Sequence, residues 1–269
     1  MCGIIGIVGV VNAANKVIEG LERLEYRGYD SAGLAVTNTN NKIKALKAIG
    51  KIGNLKQKFK NQNNDLKGNV AIGHTRWATH GKPCLINAHP LVCNNVAVVH
   101  NGIIENYAEI RQELQQLGYK FTSATDTEVV SVLMHHYLQQ TNKVAQAWYL
   151  TVKRLNGSYA IAALVAGNEQ LLLAKQGTPL ALAPVDYGGT AIGSDAYSLC
   201  KFADKIIYLE DGDIALVEAK QYKITDINGN TVHRQLKQSD VVDFNNSKRG
   251  HAHFMLKEIY EQPDVIKST

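Results

Sequence analysis

The chain after Gly157 alternates short apolar runs with turn residues, and few folds can accommodate this pattern. The runs of strand length are Ser158–Ala166, Gln170–Ala174, Ala181–Val185, Thr190–Ser194, Lys205–Leu209 and Ile214–Val217. Turn signals separate several of them, at Gly167-Asn168, Gly188-Gly189 and Asp211-Gly212. Strands with such short connections pair into antiparallel sheets, and an apolar sheet face must be buried against another layer. The pattern therefore predicts stacked sheets.

The chain before Gly157 mixes strands with helices, which predicts an α+β protein. Strands are predicted at Gly3–Val10, Leu34–Thr37, Ile43–Ile49, Val70–His74 and Val96–His100. Helices are predicted at Ala13–Tyr26, Asn106–Leu117, Thr127–Leu138 (capped within Ser123–Asp126) and Val144–Leu155. The run Arg76–Val92 is long, polar and without periodicity, and such loops are commonly functional. Because no repeat or low-complexity linker interrupts it, the chain up to residue 250 is predicted to be one domain of sheets flanked by helices.

Composition and charge exclude several classes of function. The formal net charge is +5 and the lysines are scattered without interleaved aromatic residues, so no nucleic-acid partner is expected. No apolar run approaches the roughly 20 residues of a membrane helix, and the N-terminus lacks the basic start of a signal peptide. The 9 histidines lack metal-ligand spacing and the 4 cysteines form no C-x-x-C pair, so no metal is expected. We expect a soluble cytoplasmic protein without a membrane partner.

Cys2 is distinguished by its position in the chain. Removal of Met1 would make Cys2 the N-terminal residue, and an α-amine has a pKa near 8. That amine could accept the thiol proton as a general base, so no histidine or aspartate partner would be needed. A cysteine at the second position is weak evidence by itself, and the other three cysteines are expected to pack as small apolar residues. The interpretation of Cys2 therefore depends on the motifs that accompany it.

Five separated motifs occur in the chain in a fixed order. They are Met1-Cys2-Gly3-Ile4-Ile5-Gly6, the run from Leu24 to Gly33, the run from Gly73 to Gly81, Val99-His100-Asn101-Gly102, and Thr125-Asp126-Thr127-Glu128. In this order and spacing, over essentially the whole chain, the sequence resembles the class II glutamine amidotransferases. The resemblance implies an N-terminal nucleophile hydrolase fold, which is a four-layer αββα sandwich. It also implies hydrolysis of the glutamine side-chain amide to glutamate and ammonia, without a cofactor.

The resemblance assigns the catalytic residues. It implies that Cys2 attacks the side-chain amide carbon of glutamine and forms a γ-glutamyl thioester. It also implies that the side chain of Asn101 and the backbone N–H of Gly102 stabilise the oxyanion, which forms during the attack. A strand that ends at Asn101-Gly102 could present both donors. Taken alone, the same pair is equally typical of a plain hairpin turn.

The resemblance also assigns the substrate-binding residues. Glutamine is a zwitterion, so its recognition needs a cation and an anion at a fixed separation; Arg76 matches the carboxylate clamp and Asp126 the partner of the α-ammonium group. Thr79 and His80 are implied to contact the substrate and to order the loop. Trp77 resembles the family's gate to an ammonia tunnel, with a loop anchor as the alternative.

The sequence leaves the roles of several other residues undecided. Arg27 is expected either to support the surroundings of the N-terminal residue or to form a structural ion pair with Asp30. Ala124 stands where the family often has glutamate, which is expected to loosen the local loop without touching an assigned role. Cys84 and Cys93 are candidates for exposed thiols.

The last twenty residues break the strand rhythm. A helix is predicted there that ends just before Pro263, and residues 251–269 resemble the start of a linker to a sugar-isomerase half that the chain lacks. The run from Leu24 to Gly33 resembles the version of this motif in one branch of the family, which transfers ammonia to fructose 6-phosphate. We expect glutamine as substrate, transfer to fructose 6-phosphate only with the missing isomerase domain, and a homodimer only for the full-length protein. A purine-enzyme branch and a catalytically silent module that senses glutamine are the alternatives.

Overall fold

Two antiparallel β-sheets lie at the centre of the computed structural model, which describes residues 2–62, 66–78, 81–186, 188–239, 250–251 and 254–268. The strands are β1 (Gly3–Val8), β2 (Ser31–Thr37), β3 (Ile43–Ile49), β4 (Val70–Arg76), β5 (Leu91–Cys93), β6 (Val96–Ile104), β7 (Gly157–Val165), β8 (Leu171–Gln176), β9 (Ala181–Pro184), β10 (Thr190–Gly193), β11 (Lys205–Tyr208), β12 (Ile214–Val217), β13 (Tyr222–Thr225) and β14 (Leu236–Gln238). The larger sheet has the order β14-β11-β9-β10-β1-β4-β2-β3, and the smaller sheet has the order β13-β12-β8-β7-β6-β5.

Helices cover the outer face of each sheet. They are α1 (Ala13–Arg23), α2 (Ile52–Gln62), α3 (Tyr107–Gln116), α4 (Glu128–Thr141), α5 (Val144–Lys153) and α6 (Ala196–Leu199), and a further helix, α7 (Phe254–Ser268), follows later in the sequence. Helices α1, α2 and α6 share one apolar cluster with the larger sheet, α3, α4 and α5 share a second with the smaller sheet, and a third cluster lies between the sheets. The predicted four-layer αββα sandwich is therefore confirmed. Within the described residues, no helix has the length and apolarity needed to cross a membrane.

Strand β1 shows why the central strands are apolar on both faces. Ile5 and Ile7 belong to the cluster beneath α1, whereas Ile4 and Val8 belong to the cluster between the sheets. Side chains alternate between the two faces of a strand, so a strand buried on both sides is a continuous apolar run. A slip of one residue would exchange the two faces, and burial on both sides therefore holds the register. The pairing of β1 with β4 sets Gly3 opposite Thr75.

Two glycines allow α1 to lie directly on the larger sheet. A Cβ atom at Gly20 would lie 2.6 Å from Cγ1 of Ile5, and a Cβ atom at Gly73 would lie 2.4 Å from Cγ1 of Val17. No real Cβ contact is that short, so each substitution would push the helix away from the sheet. The close approach holds α1 against β1 and β4, the two strands whose ends carry Cys2 and Arg76.

The helices differ from the predictions in three places. Helix α1 ends at Arg23, and residues Glu25–Arg27 form a separate 3₁₀ turn. Helix α2 lies in a stretch that the scattered lysines mark as surface, and it is held by three buried apolar side chains on one face, Ile52, Leu55 and Phe59. Helix α7 continues through Pro263. Proline removes one helical hydrogen bond, and the carbonyl of exposed Ile259 can accept from water instead.

The prediction that a strand ends at Asn101-Gly102 is wrong. Strand β6 continues to Ile104, with Asn101 opposite Ala160 and Gly102 opposite Tyr159 in β7. Gly102 has a φ of 109°, and a Cβ atom there would lie 2.0 Å from the carbonyl oxygen of Ser158. Glycine therefore lets β6 deviate locally while its pairing with β7 continues. The elements β5, α6, β13 and β14, of three or four residues each, are too short for periodicity to predict.

We expect Leu21→Ala to destabilise the domain and Leu117→Ala to leave it nearly unchanged. Leu21 is fully buried between α1 and the larger sheet, whereas Leu117 is 56% exposed at the end of α3. Urea unfolding should show a loss of about 2–5 kcal/mol for the buried leucine and less than about 0.5 kcal/mol for the exposed one. Equal losses would contradict the position of α1 on the sheet.

Candidate active site

A cavity of about 560 Å³ opens where β1 begins and β4 ends in the larger sheet, beside Asn101 and Gly102 of β6 in the smaller sheet. Its walls include most of the residues that the sequence marks for catalysis or binding: Cys2, Arg27, Arg76, Trp77, Asn101, Gly102 and Asp126. These residues come from both sheets and from the loop before α4. The fold therefore brings together residues that are far apart in sequence. Thr79 and His80, which were predicted to contact substrate, lie outside the described residues.

The Cys2 thiol lies at the wall of this cavity and is bound by the backbone of Trp77. The Trp77 N–H donates to Sγ at 3.3 Å, and the thiol donates to the Trp77 carbonyl at 3.4 Å. Burial raises the pKa of the Cys2 thiol, against smaller opposing effects of the Trp77 N–H and the Arg76 charge. The thiol is therefore protonated at neutral pH and needs a base before it can attack. Among the described side chains, none lies within hydrogen-bonding distance of Sγ as a base.

Asn101 is fixed between Cys2 and His74. Its Nδ2 donates to the carbonyl oxygen of Cys2 at 3.1 Å, and its Oδ1 lies 3.0 Å from Nε2 of His74. The amide is buried at the cavity wall. Because an amide nitrogen carries two hydrogens, Asn101 has a second N–H beyond the one given to Cys2. The structure thus places a hydrogen-bond donor next to the residue that was predicted to attack the substrate.

Arg76 and Asp126 are buried charges on the same cavity. Nη2 of Arg76 donates to the carbonyl oxygen of Gly81 at 3.1 Å, and burial lowers the pKa of the guanidinium, which stays charged at neutral pH. One carboxylate oxygen of Asp126 accepts the backbone N–H of Ile104 at 2.8 Å. The cavity therefore offers a cation and an anion at fixed positions, which is what recognition of an α-amino acid requires.

Glu128, rather than Ser123–Asp126, organises the start of α4. Its carboxylate accepts the backbone N–H of Thr122 at 2.9 Å and that of Ser123 at 2.7 Å. Helix α4 begins at Glu128 itself, and Thr127 before it makes no side-chain capping bond. The predicted capping is therefore wrong. A side chain that reaches back from the first turn holds the loop, and Asp126 stays directed to β6.

The loop before α4 has two further anchors. Nη2 of Arg111 donates to the carbonyl oxygen of Thr125 at 2.9 Å. The side-chain oxygen of Asn87 accepts the backbone N–H of Ala124 at 2.9 Å. These contacts hold the backbone directly before Asp126, which helps to fix the position of its carboxylate at the cavity.

Arg27 pairs with Asp195, so the predicted alternative of an ion pair with Asp30 is wrong. The guanidinium contacts the Asp195 carboxylate at 2.6 and 2.9 Å, and the Tyr26 hydroxyl donates to the same carboxylate. Burial and that hydrogen bond raise the pKa of Tyr26 to about 12. Asp30 instead accepts the backbone N–H of Ala78 at 2.8 Å. Arg27 is thereby held at the cavity wall by a residue 168 positions away.

Trp77 is half exposed at the cavity and packs edge-on against Tyr29, with the ring centres 5.3 Å apart. This contact fits the alternative of a loop anchor, and the gate to a tunnel stays a prediction.

Cys84 and Cys93 are partly buried rather than fully exposed. Burial raises the pKa of Cys93 to about 11, so its thiol is a weak nucleophile at neutral pH.

Three buried histidines that the sequence analysis left without a role lie together behind Asn101. The rings of His74 and His89 lie with centres 4.2 Å apart and planes tilted by 36°, and Nδ1 of His100 lies 2.9 Å from the Thr127 hydroxyl. Burial lowers the pKa of His74 to about 3 and that of His89 well below its ordinary value, so both are neutral. The described residues include no group of three side chains that could hold a metal ion. Ile72 of β4 faces the smaller sheet, and residues two apart in a strand lie on the same face. This alternation is the sequence signal that could have placed His74 on the face toward the smaller sheet.

Comparison with known proteins agrees with this geometry. A family model described as a glutamine amidotransferase domain matches residues 79–201. The glutamine–fructose-6-phosphate aminotransferase of Mesorhizobium japonicum is 47% identical over 217 residues, which are 80% of this chain and 35% of that protein. The chain belongs to the class II glutamine amidotransferases. A second such aminotransferase, from Pseudomonas putida, is 46% identical over 206 residues, which cover 76% of this amidotransferase chain and 34% of that protein.

Solved structures support the same fold for this amidotransferase. The glutamine phosphoribosylpyrophosphate amidotransferase from B. subtilis superposes with a TM-score of 0.71 at 26% identity, and the match covers 86% of this chain and 50% of that one. The N-terminal nucleophile hydrolase fold is therefore confirmed. The chain spans about a third of the length of the curated relatives it matches.

Alkylation of the Cys2 thiol should report the effect of its burial. Because the thiolate is the reactive form and burial raises the pKa, iodoacetamide labelling of Cys2 should reach its midpoint above pH 9.0, the ordinary value for such a thiol. The labelled peptide is quantified by mass spectrometry, with Cys2→Ala as the blank for the other three cysteines. A plateau already reached at pH 8 would contradict a neutral thiol.

Proposed function

We propose that this amidotransferase domain hydrolyses the side-chain amide of glutamine to glutamate and ammonia, with Cys2 as the nucleophile. The observation that carries the proposal is one cavity that contains the Cys2 thiol, the Asn101 amide and the opposite charges of Arg76 and Asp126. Its volume of about 560 Å³ lies in the usual range for small-molecule sites.

Arg76 and Asp126 would bind the two charges of the amino-acid end. A guanidinium can hold a carboxylate through two charge-assisted hydrogen bonds, and a carboxylate pairs with the α-ammonium group. Both side chains are buried, so an analogue that lacks either charge would lose a charge-assisted contact in a desolvated site and bind more weakly. The same contacts would direct the side-chain amide of glutamine toward Cys2.

The first half-reaction would form a thioester. Sγ of Cys2 attacks the amide carbon, and the negative charge that develops on the amide oxygen is stabilised by Nδ2 of Asn101 and the backbone N–H of Gly102. The tetrahedral intermediate then collapses, the C–N bond breaks, and the nitrogen leaves as ammonia with a proton from the general acid. Loss of one oxyanion donor commonly lowers kcat by about 10²–10³-fold.

The α-amine of Cys2 is the proposed general base and acid. The described hydrogen bonds of the thiol involve only the Trp77 backbone, so no side chain there serves as the base. An α-amine, with a pKa near 8, can accept the thiol proton and return it to the leaving ammonia. Water then attacks the thioester, the C–S bond breaks, and glutamate and the free thiol result. This mechanism requires that Met1 be removed.

Cys2→Ala should abolish ammonia release while glutamine still binds. The substitution removes the nucleophile but leaves the Arg76 and Asp126 charges, so calorimetry should detect binding and a glutamate assay should detect no turnover. Turnover equal to that of the parent would overturn the assignment. Absence of turnover in the parent, with glutamine bound, would instead favour a module that only senses glutamine.

Intact-mass measurement of the active protein tests the base. The amine mechanism predicts that active protein lacks Met1 and that protein which retains Met1 is inert, because its cysteine nitrogen is an amide. Full activity of a sample whose mass includes Met1 would remove the α-amine from the mechanism.

Arg76→Ala should raise KM for glutamine far more than it lowers kcat. The guanidinium is proposed to contact the carboxylate, which does not change during the reaction, so its loss weakens ground state and transition state together. Loss of a charge-assisted contact predicts a KM increase of about 10-fold or more. Arg154→Ala is the matched control, because Arg154 pairs with Glu113 on the surface. A KM unchanged in Arg76→Ala would contradict the proposed clamp.

Within a longer protein, we propose that the ammonia is transferred to fructose 6-phosphate. The support is that the relatives named glutamine–fructose-6-phosphate aminotransferase match this chain over about a third of their own length. Residues 1–250 would form the glutaminase domain, and residues 251–269, which include α7, would begin the linker to an isomerase domain. A homodimer would form through that second half.

A longer protein that carries this chain and a sugar-isomerase half provides the test of the acceptor. Supplied with glutamine, it should form an aminated sugar phosphate from fructose 6-phosphate and no product from phosphoribosyl pyrophosphate. The reverse result would favour the purine branch.

We also propose a cytoplasmic location, which the four free thiols support, because a reducing compartment preserves them.

A further inference from the structure

The Asn101 amide can adopt two orientations that differ by exchange of oxygen and nitrogen, and only one of them places a donor at Cys2. In the structure, Nδ2 lies 3.1 Å from the Cys2 carbonyl oxygen and Oδ1 lies 3.0 Å from Nε2 of His74. Reversal would turn the carbonyl oxygen of the amide toward Cys2 and remove the proposed oxyanion donor. The Cys2 carbonyl oxygen, which only accepts, favours the productive orientation at one end of the amide, and the contact at the other end decides whether that orientation is held from both sides.

His74 provides the contact at the other end, and its own second contact fixes which atom carries the proton. Nε2 of His74 lies 3.0 Å from the backbone carbonyl oxygen of His100 as well as 3.0 Å from the Asn101 side chain. A backbone carbonyl only accepts hydrogen bonds, so Nε2 must carry the proton. An N–H at this position can be matched only by the oxygen of the amide, and a reversed amide would place two donors against each other.

The surroundings of His74 preserve this tautomer. The ring is buried beside His89, and its Nδ1 atom has no hydrogen-bond partner within the described structure. Burial disfavours a second proton on the ring and keeps the pKa of His74 at about 3. The ring therefore remains neutral at working pH, with one proton, and that proton is on Nε2.

We infer that His74 is a positioning residue for glutamine hydrolysis: its Nε2–H, anchored on the His100 carbonyl, holds the Asn101 amide with Nδ2 toward Cys2 and the reacting amide. The inference rests on the proposed function, because it gives His74 a role only through the oxyanion donor. His74 itself is not among the residues that line the cavity, so it would act through Asn101 rather than by contact with the substrate.

Two neutral replacements of His74 separate its hydrogen bond from its bulk. His74→Gln can place a side-chain N–H near the position of the ring Nε2, whereas the shorter His74→Asn ends near the position of Nδ1 and cannot reach Asn101. We expect His74→Gln to keep kcat within about threefold of the parent and His74→Asn to lower it by about 10–100-fold, with KM unchanged in both. Loss of kcat by neither variant, or an equal loss by both, would overturn the inference.

A double-mutant cycle separates positioning from a general structural effect. If His74 acts through Asn101, then His74→Asn should cost less than about twofold in kcat once Asn101→Ala is present. The same loss in both backgrounds would show that His74 acts independently of Asn101. Parent protein without glutaminase activity would contradict the proposed function itself, so the two failures are distinguishable.

The tautomer can be measured in the parent protein, whether or not the variants fold. Ring ¹⁵N chemical shifts of His74 should show a protonated Nε2 and an unprotonated Nδ1 across neutral pH. The opposite tautomer, or a ring with two protons, would overturn the inference.

Discussion

The apolar layer between the two sheets is the contact on which the candidate site depends. Ile4 of β1 and Ile72 of β4 share this layer with Val99 of β6, so the strand that directly follows Cys2 packs against the strand that contains Asn101. Each of these side chains is fully buried, and a slip in register would move it to the wrong face. The same packing that stabilises the fold therefore sets the position of Cys2, the proposed nucleophile, relative to its proposed donor.

Burial of the site has different consequences for its neutral and charged groups. The Cys2 thiol and the His74 ring are both kept neutral, so the thiol needs a general base before it can react and the ring carries a single proton. Arg76 and Asp126 stay as buried charges at the cavity. Buried charges are costly to desolvate, and lowering that cost on binding requires a ligand charge of the opposite sign at each side chain, which the proposed substrate supplies. Selectivity for an α-amino acid would follow from that requirement.

The sequence predicted which stretches form strands and which residues line the cavity better than it predicted where each strand or helix ends and which side chains contact each other. Apolar runs indicated nearly every long strand because both faces are buried. Asn101-Gly102 has the composition of a turn, yet it lies within β6 because pairing with β7 continues past it. Helix α2 was missed because its three buried side chains are dispersed among lysines. The roles assigned to the cavity residues by resemblance stay predictions, although the fold brings Cys2, Asn101 and the two charges together.

What the residues alone could establish was chemistry: a cysteine able to become N-terminal, an arginine and an aspartate suited to a zwitterion, and strands apolar enough to stack. Those properties belong to residue type and local order, which require no knowledge of distant neighbours. The pairing of Arg27 with Asp195 and the hydrogen bond of His74 to Asn101 were decided only in the folded chain. Each joins residues on separate elements, and only packing of the elements determines whether a donor and an acceptor come within 3 Å.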